Sequence, residues 1–222
     1  MKKDIELFIF DLDGTLCESS VTIYKAMVDA LALFKVYKQI DLEDFKSHIG
    51  KHFKDIFEHY EIKIENLEDY IVEYKKNYYN YLPYTRLYPN VRLVLDDLKS
   101  KNKKIALLST KAQDQCEKIL RYFQIDIYFD IIKGRTPGKE VKPSPQSLFE
   151  IASNLNVSVS QTLIIGDTEL DILCGKNAGS LTCAATYGYR SKAFLKAYNP
   201  DFTIDSIEEI IKIFLINYGI SI

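Results

Sequence analysis

The stretch LFIFDLDGT, residues 7–15, constrains the fold of this chain more than any other. Four consecutive apolar residues run directly into two aspartates, Asp11 and Asp13, and a Gly-Thr turn. Such a run predicts a strand buried on both faces, which is typical of a parallel sheet. Parallel sheets bind ligands at the carboxyl ends of their strands. The sequence therefore predicts an α/β fold with both carboxylates at its functional edge.

The same pattern, an apolar strand followed by polar residues, recurs twice. Residues 105–108 are apolar and precede Ser109. Residues 163–165 are apolar and precede Gly166-Asp167, with Asp171 four residues later. A single Gly-Asp or Ser-Thr after a strand is most often a turn or a helix cap. Three polar strand ends in one chain instead predict one site at the sheet edge.

A lysine before a proline adds a fourth element. Pro143 disfavours the α region at Lys142 and suits the start of a helix. We expect Lys142 to lie in a loop at a helix start and to reach inward. The alternative is an ordinary surface lysine. A functional role is favoured only because the other three motifs are present in the same chain.

Taken in order, these four motifs resemble those of the haloacid dehalogenase superfamily, specifically its phosphoglycolate-phosphatase-like branch. The Asp-x-Asp-Gly-Thr motif matches residues 11–15, and the hydroxyl and lysine motifs match Ser109 and Lys142. The Gly-Asp-x-x-x-Asp motif matches residues 166–171. With the Asn-Ala-Gly at 177–179 and the Tyr-Gly-Tyr at 187–189, the resemblance spans nearly the whole chain.

The resemblance implies a phosphatase that acts on a small phosphate ester through an aspartyl-phosphate. Asp11 would be the nucleophile, and Asp13 would serve as general acid and then general base. Ser109 and the amide of Thr110 would bind phosphoryl oxygens at a helix N-terminus. Lys142 would offset the negative charge that repels the attacking carboxylate.

The resemblance also implies Mg²⁺ as the cofactor. Mg²⁺ prefers oxygen ligands, which Asp11 and Asp167 supply as side chains. The backbone carbonyl of Asp13 would be the third protein ligand. Asp171 would lie in the outer shell, reaching the metal through water or holding Lys142.

The chain organisation predicts a Rossmann-like core with an inserted cap. Residues 17–84 follow a helical pattern, and the second strand begins only at Lys104, too far for a simple crossover. In the resembled branch such an all-helical insertion after the first strand is the cap domain. We therefore expect a core of residues 1–16 and 85–222, a cap of residues 17–84, and two hinge linkers. From residue 90 strands alternate with helices, which predicts a parallel, doubly wound sheet.

The turn at residues 48–52, His-Ile-Gly-Lys-His, is the cap feature most open to a functional reading. In the resembled branch, a glycine-containing cap turn with a basic neighbour faces the active site. Gly50 and Lys51 would then bind the non-phosphate end of the substrate, and the alternative is a plain turn between helices. His48 and His52 have a metal-like spacing, but Gly50 lies between them, which disfavours a metal site. A stripe of four tyrosines at residues 70, 74, 78 and 81 predicts helix packing within the cap.

Composition excludes several classes of function. The net charge of −2 over 222 residues gives no electrostatic footprint for nucleic acid. No segment reaches the length needed to cross a membrane, no secretory signal is visible, and the four cysteines have no paired spacing. We expect a cytoplasmic monomer or homodimer.

Two alternatives to the phosphatase remain open, and a third is disfavoured. A phosphosugar mutase resembling β-phosphoglucomutase would use the same aspartyl-phosphate without losing it to water. A non-catalytic binding or regulatory module could occupy the same scaffold. A halide-removing enzyme is disfavoured because that branch lacks the second aspartate, here Asp13.

Overall fold

The computed structural model describes residues 4–217 and the side chains of residues 4–213. The strands are, in chain order, β1 (Leu7–Phe10), β2 (Cys17–Glu18), β3 (Arg86–Leu87), β4 (Lys104–Ala112), β5 (Ile131–Arg135), β6 (Thr162–Gly166), β7 (Leu181–Ala185) and β8 (Phe202–Ile204). The helices are α1 (Ser20–Leu33), α2 (Leu42–Lys46), α3 (Phe53–His59), α4 (Leu67–Tyr81), α5 (Val91–Ser100), α6 (Gln113–Tyr122), α7 (Gln146–Asn154), α8 (Glu169–Ala178), α9 (Lys192–Lys196) and α10 (Glu209–Asn217). None of these helices is both long and apolar enough to cross a membrane.

Six strands form one parallel sheet with the order β5-β4-β1-β6-β7-β8. The first strand lies at its centre, where Phe10 is level with Leu107 of β4 and with Ile165 of β6. The order reverses direction beside β1, which is the place where parallel α/β sheets bind ligands. The predicted Rossmann-like α/β class is confirmed, and the ends of β1, β4 and β6 lie side by side.

Helices cover both faces of this sheet because the central strands are apolar on both faces. Phe8 and Phe10 pack into a core on one side, together with buried residues of α5, α6 and α10. Leu7 and Ile9 point to the other side and pack with buried residues of α7 and α8. The strand that leads to Asp11 is therefore held in place from two directions.

Helices α1 to α4 fill the chain between two short strands. Those strands, β2 and β3, pair antiparallel, with Cys17 opposite Leu87 and Glu18 opposite Arg86. The chain therefore leaves the core and returns to it at neighbouring points.

The tyrosine stripe of α4 packs within this helical insertion. Tyr70 and Tyr78 are fully buried, and the ring centroids of Phe53 and Tyr74 lie 4.6 Å apart in an edge-to-face contact. At the end of the stripe, Tyr81 donates a hydrogen bond to Asp29 of α1. The packing expected from the helical spacing is present.

Two element boundaries differ from the sequence prediction. The strand expected near residues 128–132 begins at Ile131, because residues 126–128 form a 3-10 turn in which the Phe129 amide bonds to the Asp126 carbonyl over 3.1 Å. The helix expected at Pro143 begins at Gln146 instead. Its start is delayed because the carbonyls of residues 143 and 144 accept hydrogen bonds from α8 side chains, at 3.1 and 3.4 Å.

Candidate active site

A cavity of about 280 Å³ lies at the edge where β1, β4 and β6 end. Residues from the core and from the helical insertion line it together. Among the residues predicted to act, its lining includes Asp11, Asp13, Ser109, Thr110, Lys142, Gly50 and Lys51. Asp167 lies behind the lining and is completely buried. Residues separated by more than 150 positions in sequence are thus brought to one place.

Lys142 lies inside the site and not at the surface. It is 4% exposed, and its Nζ lies 3.0 Å from Oδ1 of Asp11 and 2.5 Å from Oδ1 of Asp171. Burial opposes the charge of the lysine, but the two carboxylates outweigh this effect and raise its pKa. Lys142 therefore stays protonated and places a positive charge beside the predicted nucleophile.

Three buried carboxylates crowd together at the bottom of the site. Oxygens of Asp11, Asp167 and Asp171 lie within 4.8 Å of one another. Burial raises the pKa of Asp11 to about 6, against the opposing pull of Lys142. Burial also raises the pKa of Asp167 well above its usual range, and the charges of the other two aspartates add to this. The cluster carries more negative charge than its own cation balances.

This donor set fits a hard divalent cation such as Mg²⁺. Both oxygens of Asp171 already accept hydrogen bonds, from Lys142 over 2.5 Å and from the Thr168 hydroxyl over 2.7 Å. The oxygens of Asp167 accept only from neutral donors, the Thr15 hydroxyl and the Tyr189 N–H, whereas Asp171 is in close contact with the Lys142 cation. Asp11 and Asp167 are therefore the carboxylates best able to bind a metal, with Asp171 in an outer position. The backbone of Gly14 packs directly against Asp167. Any side chain at this position would collide with the carboxylate, because its Cβ would lie 2.1 Å from Oδ2. All-oxygen ligands and excess negative charge are the features Mg²⁺ sites share.

Replacing Asp167 by asparagine should change stability in opposite directions with and without the metal. An amide preserves the hydrogen-bonding pattern, because its oxygen can accept from the Tyr189 N–H and its NH₂ can donate to the Thr15 hydroxyl. A carboxylate whose folded-state pKa is raised costs stability as pH rises above its unfolded value. In EDTA at pH 8 we therefore expect Asp167→Asn to melt at least about 3 °C above the parent protein, by differential scanning fluorimetry.

Adding Mg²⁺ should reverse that order. The parent protein should gain stability because the cation binds only the folded state, and Asp167→Asn should gain little. At pH 4, close to the unfolded pKa of an aspartate, the unfolded chain also binds part of a proton at this carboxyl, so the difference in EDTA should shrink. If Mg²⁺ raised both melting temperatures equally, Asp167 would be rejected as a ligand.

Asp13 is held by two residues that the sequence reasoning missed. Its Oδ2 lies 2.9 Å from Nζ of Lys111, and its Oδ1 accepts a hydrogen bond of 2.5 Å from the Ser19 hydroxyl. The Lys111 ammonium also lies 4.5 Å from the centre of the Tyr78 ring in α4. Burial opposes the charge of Lys111, but Asp13 reverses this effect and raises the pKa of the lysine. A core cation thus joins Asp13 to the helical insertion.

The hydroxyl motif does not stand at a helix N-terminus, contrary to the sequence prediction. Strand β4 continues through Ala112, and α6 begins at Gln113. Pairing with β5 becomes irregular between Leu108 and Ala112, so the backbone bulges within residues 109–111. Ser109 lines the cavity, and strand β4, not a helix end, positions it.

The turn at residues 48–52 reaches the cavity with Gly50 and Lys51. Gly50 has a φ of +98°, a conformation that suits glycine, and a Cβ there would lie 3.5 Å from Thr168 of the core. The Nζ of Lys51 lies 3.2 Å from Nδ1 of His48. His48 stacks on His59 with ring centroids 4.0 Å apart, whereas Nε2 of His52 lies 3.3 Å from Nη1 of Arg135.

Arg190 ties this turn to the core, and nothing in the sequence patterns pointed to it. Its guanidinium donates to the carbonyls of Lys46 and Ile49, over 3.3 and 3.1 Å, and to the carboxylate of Glu169 over 3.0 Å. The residue directly follows the Tyr-Gly-Tyr stretch, which was the only signal available.

Comparison with known proteins gives a consistent result. Residues 8–185 match the family model of the haloacid dehalogenase-like hydrolases. The phosphoglycolate phosphatase of Aquifex aeolicus (strain VF5) is 34% identical over 215 residues, which cover 94% of this chain and 96% of the relative. Pyrophosphatase PpaX of Bacillus mycoides (strain KBAB4) is 30% identical, with the same coverage of both chains.

The fold has close counterparts among crystal structures. One is that of a predicted phosphoglycolate phosphatase from Haemophilus somnus 129pt, with 26% identity and a TM-score of 0.81. The match covers 94% of this chain and 97% of the other. The chain belongs to the haloacid dehalogenase-like hydrolase family, and it is a phosphatase of that family.

Proposed function

We propose that this chain is a Mg²⁺-dependent phosphatase that hydrolyses a small phosphate monoester through an aspartyl-phosphate on Asp11. One observation carries the proposal: the carboxylate of Asp11 lies at the bottom of a small cavity, between the Lys142 ammonium and a cluster of buried acids. The cavity of about 280 Å³ suits a metabolite-sized ligand.

In the first step, a carboxylate oxygen of Asp11 attacks phosphorus while the bond to the leaving oxygen breaks. Asp13, two residues along the same strand end, donates the proton that the leaving oxygen needs. The Ser109 hydroxyl and the Lys142 ammonium bind phosphoryl oxygens and offset their charge. Mg²⁺, when bound by Asp11, Asp167 and the Asp13 carbonyl, supplies further neutralisation of phosphoryl charge.

In the second step, water attacks the phosphorus of the aspartyl-phosphate and releases inorganic phosphate. Asp13, now ionised, takes the proton from that water and returns to its starting state. Hydrogen bonding by Ser19 and the ion pair with Lys111 keep the Asp13 carboxyl aimed in one direction. The same residue thus serves as acid and as base, as a hydrolase of this kind requires.

We assign residues 17–84 to a cap that closes over a core formed by residues 1–16 and 85–222. The adjacent strands β2 and β3 supply the two linkers, and Arg190 and Lys111 contact the insertion from the core side. Closure would exclude water from the reacting centre and strengthen its electrostatic interactions. Lys51 of the cap turn would then meet the end of the substrate remote from phosphorus.

The test is turnover of p-nitrophenyl phosphate, followed by release of both inorganic phosphate and p-nitrophenol. We expect turnover with Mg²⁺ and loss of turnover in EDTA, with recovery when Mg²⁺ is restored. A mutase would instead pass the phosphoryl group to a sugar phosphate and release little phosphate. A binding module would produce neither product, and that outcome would reject the proposal.

A further inference from the structure

Arg135 and His52 lie side by side in the lining of the cavity but come from two different parts of the chain. Arg135 is the last residue of β5, and His52 caps the N-terminus of α3 in the insertion. Nη1 of Arg135 lies 3.3 Å from Nε2 of His52. Both residues line the catalytic cavity and also a neighbouring groove of about 760 Å³. The pair therefore stands where the cavity meets this groove.

This contact leaves a hydrogen-bond donor without an acceptor. Nδ1 of His52 accepts from the Lys54 backbone N–H over 3.2 Å, so in a neutral ring the proton resides on Nε2. Nε2–H then points toward an arginine N–H, and both groups are donors. Moving the proton to Nδ1 satisfies Arg135 but breaks the helix cap. A second proton on the ring does not help, because it adds a positive charge beside the guanidinium.

An anionic oxygen between the two side chains resolves the conflict. It accepts from Nε2–H of His52 and from the guanidinium of Arg135 at once, while Nδ1 continues to cap α3. Hydrogen bonds between ionised partners are roughly twice as strong as neutral ones. The planar guanidinium also offers a second N–H, which suits the two oxygens of a carboxylate or phosphate.

The charges around Arg135 and His52 also favour an anionic ligand. Within residues 4–213, no carboxylate oxygen lies within 4.0 Å of the guanidinium nitrogens of Arg135. Lys51 and Lys75 add positive charge to the same lining, although Lys75 is paired with Asp114 over 2.8 Å. Asp55 opposes them from the insertion side. With Asp114 included, three cations stand against two carboxylates, which leaves this end of the cavity positive.

We propose that Arg135 and His52 bind a second anionic group of the substrate, whose phosphate lies at Asp11. The substrate class is then a small phosphomonoester whose leaving group carries a carboxylate or a second phosphate. Arg135 is the residue that determines this specificity. The inference rests on the proposed phosphatase activity and narrows its substrate.

The test compares two probes of similar size, one with a second charge and one without: 2-phosphoglycolate and 2-hydroxyethyl phosphate. The full-length protein with Mg²⁺ should prefer phosphoglycolate. Arg135→Ala should reduce this preference, expressed as the ratio of the two kcat/KM values, by about 30-fold. Arg121→Ala removes an arginine that is 60% exposed on α6 and should leave the ratio unchanged. Inorganic pyrophosphate as a third probe tells whether a phosphate is preferred to a carboxylate.

A second variant separates anion binding from helix capping. Asparagine is a good N-cap residue, so His52→Asn should keep α3 intact and the melting temperature near that of the parent. It should still reduce the preference several-fold, because the ring donor is gone. Binding of 2-phosphoglycolate to the Asp11→Asn protein, measured by calorimetry with and without Arg135→Ala, provides a readout that does not need turnover.

The outcomes separate the two proposals. If neither probe nor p-nitrophenyl phosphate is hydrolysed, the phosphatase proposal fails. If esters are hydrolysed but the parent shows no preference for the anionic probes in turnover or binding, only the assignment of Arg135 and His52 fails. Equal losses on both probes for Arg135→Ala would likewise overturn it, since that pattern indicates a structural role.

Discussion

Asp11→Asn should lower turnover by about 10³-fold or more, because an amide is a poor nucleophile toward phosphorus. The change removes one buried charge and keeps the shape of the side chain. Lys142 retains its 2.5 Å contact with Asp171, so the site should stay assembled. The amide oxygen also remains a possible metal ligand. We therefore expect a folded protein that still binds Mg²⁺ and hydrolyses p-nitrophenyl phosphate at a background rate.

Asp96→Asn makes the same substitution on the exposed side of α5, away from the cavity, and serves as the matched control. Its turnover should equal that of the parent. Circular dichroism and the melting temperature show whether the Asp11 variant is folded. Retention of more than a few per cent of the parental rate by that variant would remove Asp11 as the nucleophile.

Asp13→Asn should separate the two chemical steps. An activated ester such as p-nitrophenyl phosphate needs little help from an acid, because its leaving group is already stable as an anion. The aspartyl-phosphate should therefore form, while its hydrolysis lacks the base that activates water and slows by about 10²-fold or more. Rapid mixing should show a burst of p-nitrophenol followed by a slow steady state.

Mass spectrometry of the quenched reaction should find the phosphoryl group on Asp11. Ser19→Ala is a useful companion, because it removes one hydrogen bond to the Asp13 carboxyl and leaves the carboxyl itself. It should slow both steps modestly and give no burst. Absence of any trapped phosphoenzyme in Asp13→Asn would count against the acid and base role.

The sheet could be predicted from sequence because its signals are local. The four apolar residues before Asp11 identify a doubly buried strand, and similar runs before Ser109 and Asp167 identify its neighbours. Because the strands are parallel neighbours, the polar residues at their ends must then lie close together. The delayed start at Gln146 depended on hydrogen bonds from α8, a distant segment, whereas the one at Ile131 followed from a local 3-10 turn.

The residues that position the site could not be found this way. Lys111, Arg190 and Arg135 look like ordinary surface cations in the sequence, and their partners lie far along the chain. Lys111 meets Asp13 across 98 positions, and Arg190 meets Ile49 across 141. Only the three-dimensional arrangement shows that these cations face the cavity or the insertion. Electrostatic partners at such separations leave no periodic pattern.

The short ribbon of β2 and β3 has an evolutionary consequence. Because Glu18 and Arg86 are paired neighbours, the insertion leaves the core and rejoins it at the same place. A different insertion with the same spacing between its ends could replace it without disturbing the six-stranded sheet. Most of the proposed catalytic groups belong to the core, whereas His52 and Lys51 belong to the insertion. On the assignments proposed above, a lineage could therefore exchange the substrate contacts of the insertion, His52 and Lys51, and keep both the reaction and Arg135, which belong to the core.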